Sequence, residues 1–289
     1  MKLTASLVLF KSNPSVFEPA IESFLASTVS GVLVVADNSP EPLVSKLFLH
    51  DRVRYIHTGR NLGFGKAHNL AFKMVEAASD YHLILNPDIT FGGNVLTYLV
   101  DLLVEHSNIG AVMPQIRYPN GELQRLCKLL PTPVDLLLRR FLPVPAIVEA
   151  RNRQYEMHGL SQKFRSVVPT VSGCFLLVRS EILRGLDGFD ERYFMYLEDV
   201  DLVRRVGERS DVVYDPAVFV VHAYGKGSYR NAKLLSYHLK SAIKYFNKWG
   251  WIWDPVRRQK NSAALAYNRN EGGAPFGGEY SDSPIPSDD

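Results

Sequence analysis

The chain has 289 residues, 46% of them hydrophobic and 22% charged, an ordinary globular composition that can bury a real core in one large domain or two small ones. A formal charge of +3 and a pI near 8.7 are too weakly basic to indicate nucleic acid and fit an anionic substrate or an anionic membrane surface. Cys127 and Cys174 lack paired or metal-type spacing, no signal pattern precedes the first strand, and no apolar run reaches the roughly 18 residues of a spanning helix, so a reducing cytoplasm and at most a peripheral membrane contact are expected.

Leu3 to Phe10 reads as a first strand, and Lys11-Ser12-Asn13-Pro14 as a loop leading to a helix through Pro19 to Ser27. Val32 to Ala36 is uniformly apolar, as a parallel sheet requires, and ends in Asp37-Asn38-Ser39-Pro40. Arg52 to His57 is a third strand. The glycines of Asn61-Leu62-Gly63-Phe64-Gly65 permit a tight turn into a helix from Lys66 to Ala78. Tyr81 to Leu85 is a buried strand by pattern, stopped by Asn86-Pro87-Asp88. Strand and helix therefore alternate, which predicts a mostly parallel α/β sheet with helices on both faces.

Parallel strands share a direction, so the loops at Lys11 to Asn13, Asp37 to Ser39 and Asn86 to Asp88 converge on one edge, where the glycine turn at Gly63 can join them. A nucleotide fits there. Asp37 either bonds a base or ribose or closes a strand-end Asx turn. Asp88 is either an ordinary turn residue or a ligand to a hard divalent cation, which needs only one or two protein carboxylates when it bridges substrate phosphates. The spacing around Gly63 and Gly65 does not fit the dinucleotide fingerprint.

Further on, Asn94 to Glu105 predicts a helix, Ile109 to Met113 a strand and Tyr118 to Glu122 a hairpin turn. Lys128 to Ala146 is apolar, interrupted by prolines and contains Arg139 and Arg140; it is an interfacial helix or a partly buried connection. Arg151 to Arg165 reads as a loop over the crevice. Val167 to Arg179 returns to strand chemistry, with Ser172-Gly173-Cys174 leaving room for a close approach.

Glu198 and Asp199 begin a helix with Asp201 and Arg205 at i, i+4. They either cap it or supply a general base for a hydroxyl. Val212 to Tyr214 and Val218 to Val221 are strands. The loop from His222 to Arg230 can wrap a diphosphate with backbone amides and Lys226, and His222 either joins the Asp88 cation site or is structural. Ala232 to Trp253 predicts one helix with Lys240, Lys244 and Lys248 at four-residue spacing and aromatic residues near its end, lying on a membrane or packed on the domain. From Asn261 onward, Gly, Pro, Ser and Asp predict disorder.

Taken in order, Asp37-Asn38-Ser39, Asn61 to Gly65 with Asn69, Leu85 to Asp88, Ser172-Gly173, Gly188 to Glu191 with Phe194-Met195-Tyr196, Glu198 to Leu202, and His222 resemble the family 2 glycosyltransferases of the GT-A fold. Within that family the set is similar to bacterial rhamnosyltransferases of lipopolysaccharide and O-antigen synthesis. The resemblance runs from Leu3 to about Asp254, divided into a nucleotide-binding half (about 1–115), an acceptor half (about 116–230) and a C-terminal helix (about 231–254), with 255–289 as a disordered tail.

The resemblance implies an inverting transfer from a nucleotide-diphosphate sugar, dTDP-rhamnose or a UDP-hexose, to a glycan or lipid-linked glycan at the inner face of the cytoplasmic membrane. Asp199 would be the base with Glu198 beside it, and Asp88 with His222 would hold Mg2+ or Mn2+. Phe10, Lys11, Asp37, Asn61, Gly63, Lys66, Asn86 and Lys226 would contact the donor. Two departures from the family pattern stand out: Asn86 replaces an acidic residue, and Leu9-Phe10-Lys11 stands where many relatives carry Thr-Tyr-Asn. A sugar nucleotidyltransferase would want a glycine-rich loop after the first strand, which Phe10 to Pro14 lacks. A non-catalytic scaffold would have no use for the retained Asp88, Glu198 and Asp199.

Overall fold

The computed structural model describes residues 2–138, 145–223 and 232–269. A nine-stranded mixed sheet runs through the centre. Its parallel half consists of β1 (Leu3–Leu9), β2 (Gly31–Asp37), β3 (Val53–His57) and β4 (Tyr81–Leu85), with β1 between β2 and β4. Helices α1 (Pro14–Leu25) and α2 (Phe64–Lys73) make the crossovers. Alternation along β2 explains the layering: Leu33 and Val35 face the cluster containing Phe17 and Phe24 of α1, while Val34 and Ala36 face Ala67 and Ala71 of α2.

The second half of the sheet does not follow that rule. β10 (Phe175–Arg179) lies antiparallel between β4 and β6 (Ile109–Arg117), and β11 (Asp211–His222) runs parallel to β6. A short strand, β5 (Ile89–Phe91), pairs antiparallel with the end of β11 and places Ile89 opposite His222. Helix α3 (Val95–Glu105) buries Leu96, Leu99 and Leu103 in the principal core, and the short α5 (Ser180–Gly185) adds Leu183 after β10.

Several local expectations change. Val212 to Val221 is one bulged strand, because the register against β6 shifts between Asp215 and Phe219. The predicted strand from Val167 to Arg179 is broken into β8 (Ser166–Val167), β9 (Thr170–Val171) and β10, with β9 pairing with β7 (Cys127–Lys128). The expected loop over Arg151 to Arg165 begins as helix α4 (Pro145–Tyr155), and Tyr155, Met157 and Leu160 are buried in the core. Leu129 and Leu130 are buried too, so that end of the proline-rich stretch is a connection, while Arg139 and Arg140 lie outside the described residues.

At the C-terminal end the single expected helix is two. Helix α7 (Ala232–Trp249) ends at Gly250, whose φ of 97° is open to glycine, and α8 (Pro255–Arg269) starts after Asp254, which accepts from the Arg257 N–H at 2.9 Å. The tail expected from 255 onward is thus helical as far as Arg269; the rest of it lies outside the described residues. No helix among the described residues is long and apolar enough to cross a membrane.

Candidate active site

The parallel register sets Leu9 beside Asp37 and Leu7 beside Leu85, so the loops after β1, β2 and β4 share one edge. Phe10 is 45% exposed there, with Lys11 Nζ 5.7 Å from its ring centroid. The Lys11 N–H donates to Ser39 Oγ at 2.7 Å and ties the first two loops together. Asp37 itself is fully buried: it accepts from the Ser39 N–H, the Leu43 N–H and the Tyr55 hydroxyl, the last at 2.6 Å. Burial alone would raise its carboxyl, but the hydrogen bonds from Ser39, Tyr55 and Leu43 outweigh it and hold the group below its usual range. Asp37 therefore shapes this loop from within rather than reaching outward.

The Asn61 to Asn69 stretch also turns inward. Asn61 Oδ1 accepts from the Gly63 N–H at 2.9 Å, and Gly63, at φ 86°, lies so close to the Phe194 carbonyl oxygen that a Cβ would collide with it. Phe64 N–H donates to that oxygen at 3.1 Å. Asn69 grips Phe189 at both backbone groups, Nδ2 to O at 2.9 Å and N to Oδ1 at 2.8 Å. Lys66 Nζ, 3.0 Å from Glu191, is engaged by that carboxylate. The stretch thus clamps α2 onto the segment 188–194 that leads to Glu198 and Asp199.

The acidic residues meet around the start of β10. The Asn86 N–H donates to the Cys174 carbonyl at 2.8 Å, and the Gly173 N–H donates to Asp199 Oδ2 at 3.0 Å. One short segment therefore joins the Asn86 to Asp88 loop to the start of α6 (Glu198–Val206). Burial pushes the Cys174 thiol up to about 12, with the negative charges of Asp88 and Asp199 adding to it. Before α6, Tyr196 and Leu197 both adopt left-handed backbone, φ 67° and 64°, a cost that non-glycine residues bear where surrounding structure enforces it. Glu198 is buried with Oε2 making no hydrogen bond, and burial, then the Asp199 charge, holds its carboxyl well above the usual range.

His222 closes the other side. Its Nε2 is 3.2 Å from Asp88 Oδ1, and the Ala223 N–H donates to the Asp88 carbonyl at 2.9 Å. Gln124 contacts His222 twice, at 2.8 and 2.9 Å. Sequence reasoning missed Gln124, since its partner is 98 positions away. Lys226 lies outside the described residues.

Among the described residues no group of three or more His, Cys, Asp or Glu could hold a metal ion by itself. The smaller donor set of Asp88 and His222 still fits Mg2+ or Mn2+ bridging substrate phosphates, because such ions keep water and phosphate ligands and take few from protein. Buried Oδ1 atoms of Asp88 and Asn86 that make no hydrogen bond agree with that demand for additional partners.

Helix α7 is docked, not free. Lys248 bridges Asp190 and the fully buried Asp201 at 2.9 and 2.7 Å, and Trp249 donates to Asp201 at 2.8 Å. Arg204 pairs with Asp254 through two bonds of 2.7 and 2.8 Å, all but buried. Ala242, Tyr245 and Phe246 pack with Tyr193 and Leu197. The expected membrane face of this helix is thereby largely occupied. Apolar surface remains at Leu239 and Ile243, and above all at Ile252 and Trp253, 83% and 72% exposed.

The profile described as Glycosyl transferase family 2 matches residues 8–186. The N-acetylglucosaminyl-diphospho-decaprenol L-rhamnosyltransferase of Mycobacterium tuberculosis is 31% identical over 266 residues, 83% of this chain and 84% of its own. Rhamnosyltransferase WbbL of Escherichia coli K12 is 27% identical over 224 residues, 74% of this chain and 81% of its own. Among solved structures, GalNAc-T7 with UDP, GalNAc and Mn2+ superposes with a TM-score of 0.60 at 15% identity, covering 93% of this chain and 54% of that larger one. The mannosyltransferase PcManGT of Pyrobaculum calidifontis, in complex with GDP-Man and Mn2+, gives 0.51 at 15% identity, covering 94% and 76%. The fold is thus GT-A-like.

Proposed function

The chain belongs to glycosyl transferase family 2 and is a glycosyltransferase; from that premise we propose that it moves rhamnose from dTDP-rhamnose to a hydroxyl of a lipid-linked glycan in cell-wall or O-antigen biogenesis, inverting the anomeric centre. The observation that carries this reading is that the Asn86 N–H bonds the Cys174 carbonyl while the neighbouring Gly173 N–H bonds Asp199, so that one short segment ties the loop of Asp88, a cation-type carboxylate, to the helix start of a base-type one. The two M. tuberculosis and E. coli relatives supply the sugar class, and the first of them the polyprenyl-diphosphate acceptor class, by their names.

In this reading Phe10 stacks on the base and Lys11 faces the donor phosphates. Asp37, Asn61 and Gly63 act through the loops they hold, while Asn86, Lys66 and Lys226 border the donor. Asp88 and His222 would hold Mg2+ or Mn2+, which when bound offsets charge on the departing nucleoside diphosphate. Asp199, braced by the Gly173 N–H, takes the proton of the attacking hydroxyl, and Glu198 beside it keeps its own proton and limits repulsion. The nucleotide half spans about residues 1–115 and the acceptor half about 116–230. The protein meets the inner face of the cytoplasmic membrane peripherally through Trp251-Ile252-Trp253.

The test is transfer of radiolabelled sugar to polyprenyl-diphospho-N-acetylglucosamine, from dTDP-rhamnose and from UDP-hexoses in parallel, with and without Mn2+ or Mg2+. Metal-dependent transfer from dTDP-rhamnose is expected. Transfer from a UDP-hexose alone would replace the donor, and no transfer from any donor would overturn the proposal.

A further inference from the structure

We propose that Gln124 is a positioning residue that fixes the tautomer of His222 and so presents the Nε2 lone pair to the cation; this rests on the reading of Asp88 and His222 as the cation site. Gln124 is buried just beyond the turn that follows β6, with its own N–H donating to the Ile116 carbonyl at 2.8 Å. Its side chain contacts His222 at two places: Nε2 lies 2.8 Å from the His222 carbonyl oxygen, and Oε1 lies 2.9 Å from His222 Nδ1.

These two contacts settle a proton position. The oxygen and nitrogen of a carboxamide are alike in shape, so orientation must come from the partners. A backbone carbonyl oxygen only accepts, which places the Gln124 NH2 against it. The carboxamide oxygen then faces Nδ1, and because that oxygen also only accepts, Nδ1 must carry the hydrogen. A neutral imidazole protonated on Nδ1 has its lone pair on Nε2.

Nε2 is the atom 3.2 Å from Asp88 Oδ1. Without a cation a hydrogen on Nε2 meets that carboxylate oxygen; a divalent cation takes the hydrogen's place, and the two atoms become a pair of ligands. Imidazole without an acceptor at Nδ1 favours the proton on Nε2, where it would block ligation, so the fold must work against that preference. Gln124 does this while anchoring the carbonyl of the same residue, which fixes the ring's backbone as well as its proton. Outer partners of ligating histidines commonly act this way.

The experiment uses the full chain labelled with 15N-histidine, first without metal and then with saturating Mg2+ and dTDP. Long-range 1H–15N spectra report the tautomer of each of the eight histidines, and the signal lost in His222→Asn identifies His222. Binding of Mn2+ in the presence of dTDP is then followed by electron paramagnetic resonance for the wild type, Gln124→Leu and Gln124→Glu. The wild type is expected to carry a hydrogen on Nδ1 in both states, with Nε2 unprotonated once Mg2+ and dTDP are bound. Gln124→Leu should move the proton to Nε2 and weaken Mn2+ binding by about 10- to 100-fold. Gln124→Glu, which keeps an acceptor for Nδ1–H but sets a second oxygen against the His222 carbonyl, should retain the tautomer and recover part of the affinity.

A wild-type His222 without a hydrogen on Nδ1 overturns the proposal, as does a folded Gln124→Leu with unchanged tautomer and Mn2+ binding. Should the leucine variant fail to fold, the wild-type spectrum and the glutamate variant still decide. A wild type with the Nδ1–H tautomer that binds no Mn2+ with dTDP would count against the cation reading of the site, while the Gln124–His222 proton placement would stand.

Discussion

Gly173 donates its backbone N–H to Asp199 Oδ2 at 3.0 Å, and a Cβ on Gly173 would come within 2.9 Å of Asp199 Cβ. The absence of a side chain at 173 is therefore what lets the carboxylate sit where it does. Neither atom in that contact is the far end of a flexible chain, so Gly173→Ala must displace Asp199 or the strand start. A displacement of about 1 Å in a catalytic group costs about 100-fold in rate. We expect initial transfer rates to fall by that order with donor affinity kept, and an unchanged rate would remove Gly173 from the bracing role.

Asp199→Asn tests the base directly. The asparagine Oδ1 can still accept from the Gly173 N–H, so that tie survives, while the Val200 N–H loses its side-chain acceptor and the base is lost. Transfer is expected to drop about 10²- to 10⁴-fold, the range of general-base contributions, with donor binding by calorimetry unchanged. Loss of donor affinity in this variant would count against the assignment.

The sequence announces the acidic centres because each stands where an element begins or ends: Asp88 after an uninterrupted apolar strand, Asp199 at a helix start. The parallel order of β1 to β4 is legible for a related reason, since two-sided burial writes continuous apolar runs and the crossovers write helices between them. Direction is not written that way. Phe175 to Val178 is as apolar as Leu83 to Leu85, yet β10 runs antiparallel, and nothing within the strand says so. Partners distant in sequence are equally silent, which hides Gln124 behind His222 and Lys248 between Asp190 and Asp201. The lysines of α7 suggest a membrane face because their spacing is helical, but spacing does not reveal that Asp201 is already waiting beneath Lys248.

Glu198 should make stability fall as pH rises. Its folded carboxyl sits above the usual range through burial and the Asp199 charge, so between the unfolded and folded values the folded state holds a proton that the unfolded state has released. Unfolding free energy then decreases with pH across that window, and the full penalty applies above the folded value. Glu198→Gln, neutral throughout, escapes it. The melting temperature of the variant minus that of the wild type should grow from about pH 4 to about pH 8; a constant difference would mean that Glu198 ionises as an ordinary carboxyl.

Asp88→Ala removes the carboxylate beside His222 Nε2 and leaves Asn86 as a neutral neighbour. Binding of dTDP in the presence of Mn2+ should weaken at least about tenfold, or ~1.4 kcal/mol, while metal-free binding stays the same. Calorimetry with and without Mn2+ separates the two. Unchanged metal dependence would exclude Asp88 as a ligand.

The loop between α7 and α8 makes a membrane prediction that the helix itself does not. Ile252 and Trp253 are exposed, and the Arg258 guanidinium lies 4.9 Å from the Trp253 ring centroid, so an apolar wedge carries a cation at its base. Burying such side chains in an interface contributes about 1.5–3 kcal/mol each. The double variant Ile252→Ser, Trp253→Ser should lose binding to anionic vesicles by an order of magnitude or more and keep its melting temperature. Trp249→Ala is the informative contrast, because Trp249 bonds Asp201 and lies 3.9 Å under the Arg204 guanidinium. Its loss should lower the melting temperature through the α6–α7 contact. If it is Trp249→Ala that releases the protein from vesicles while the loop variant stays bound, the membrane face lies on α7 after all and the loop assignment falls.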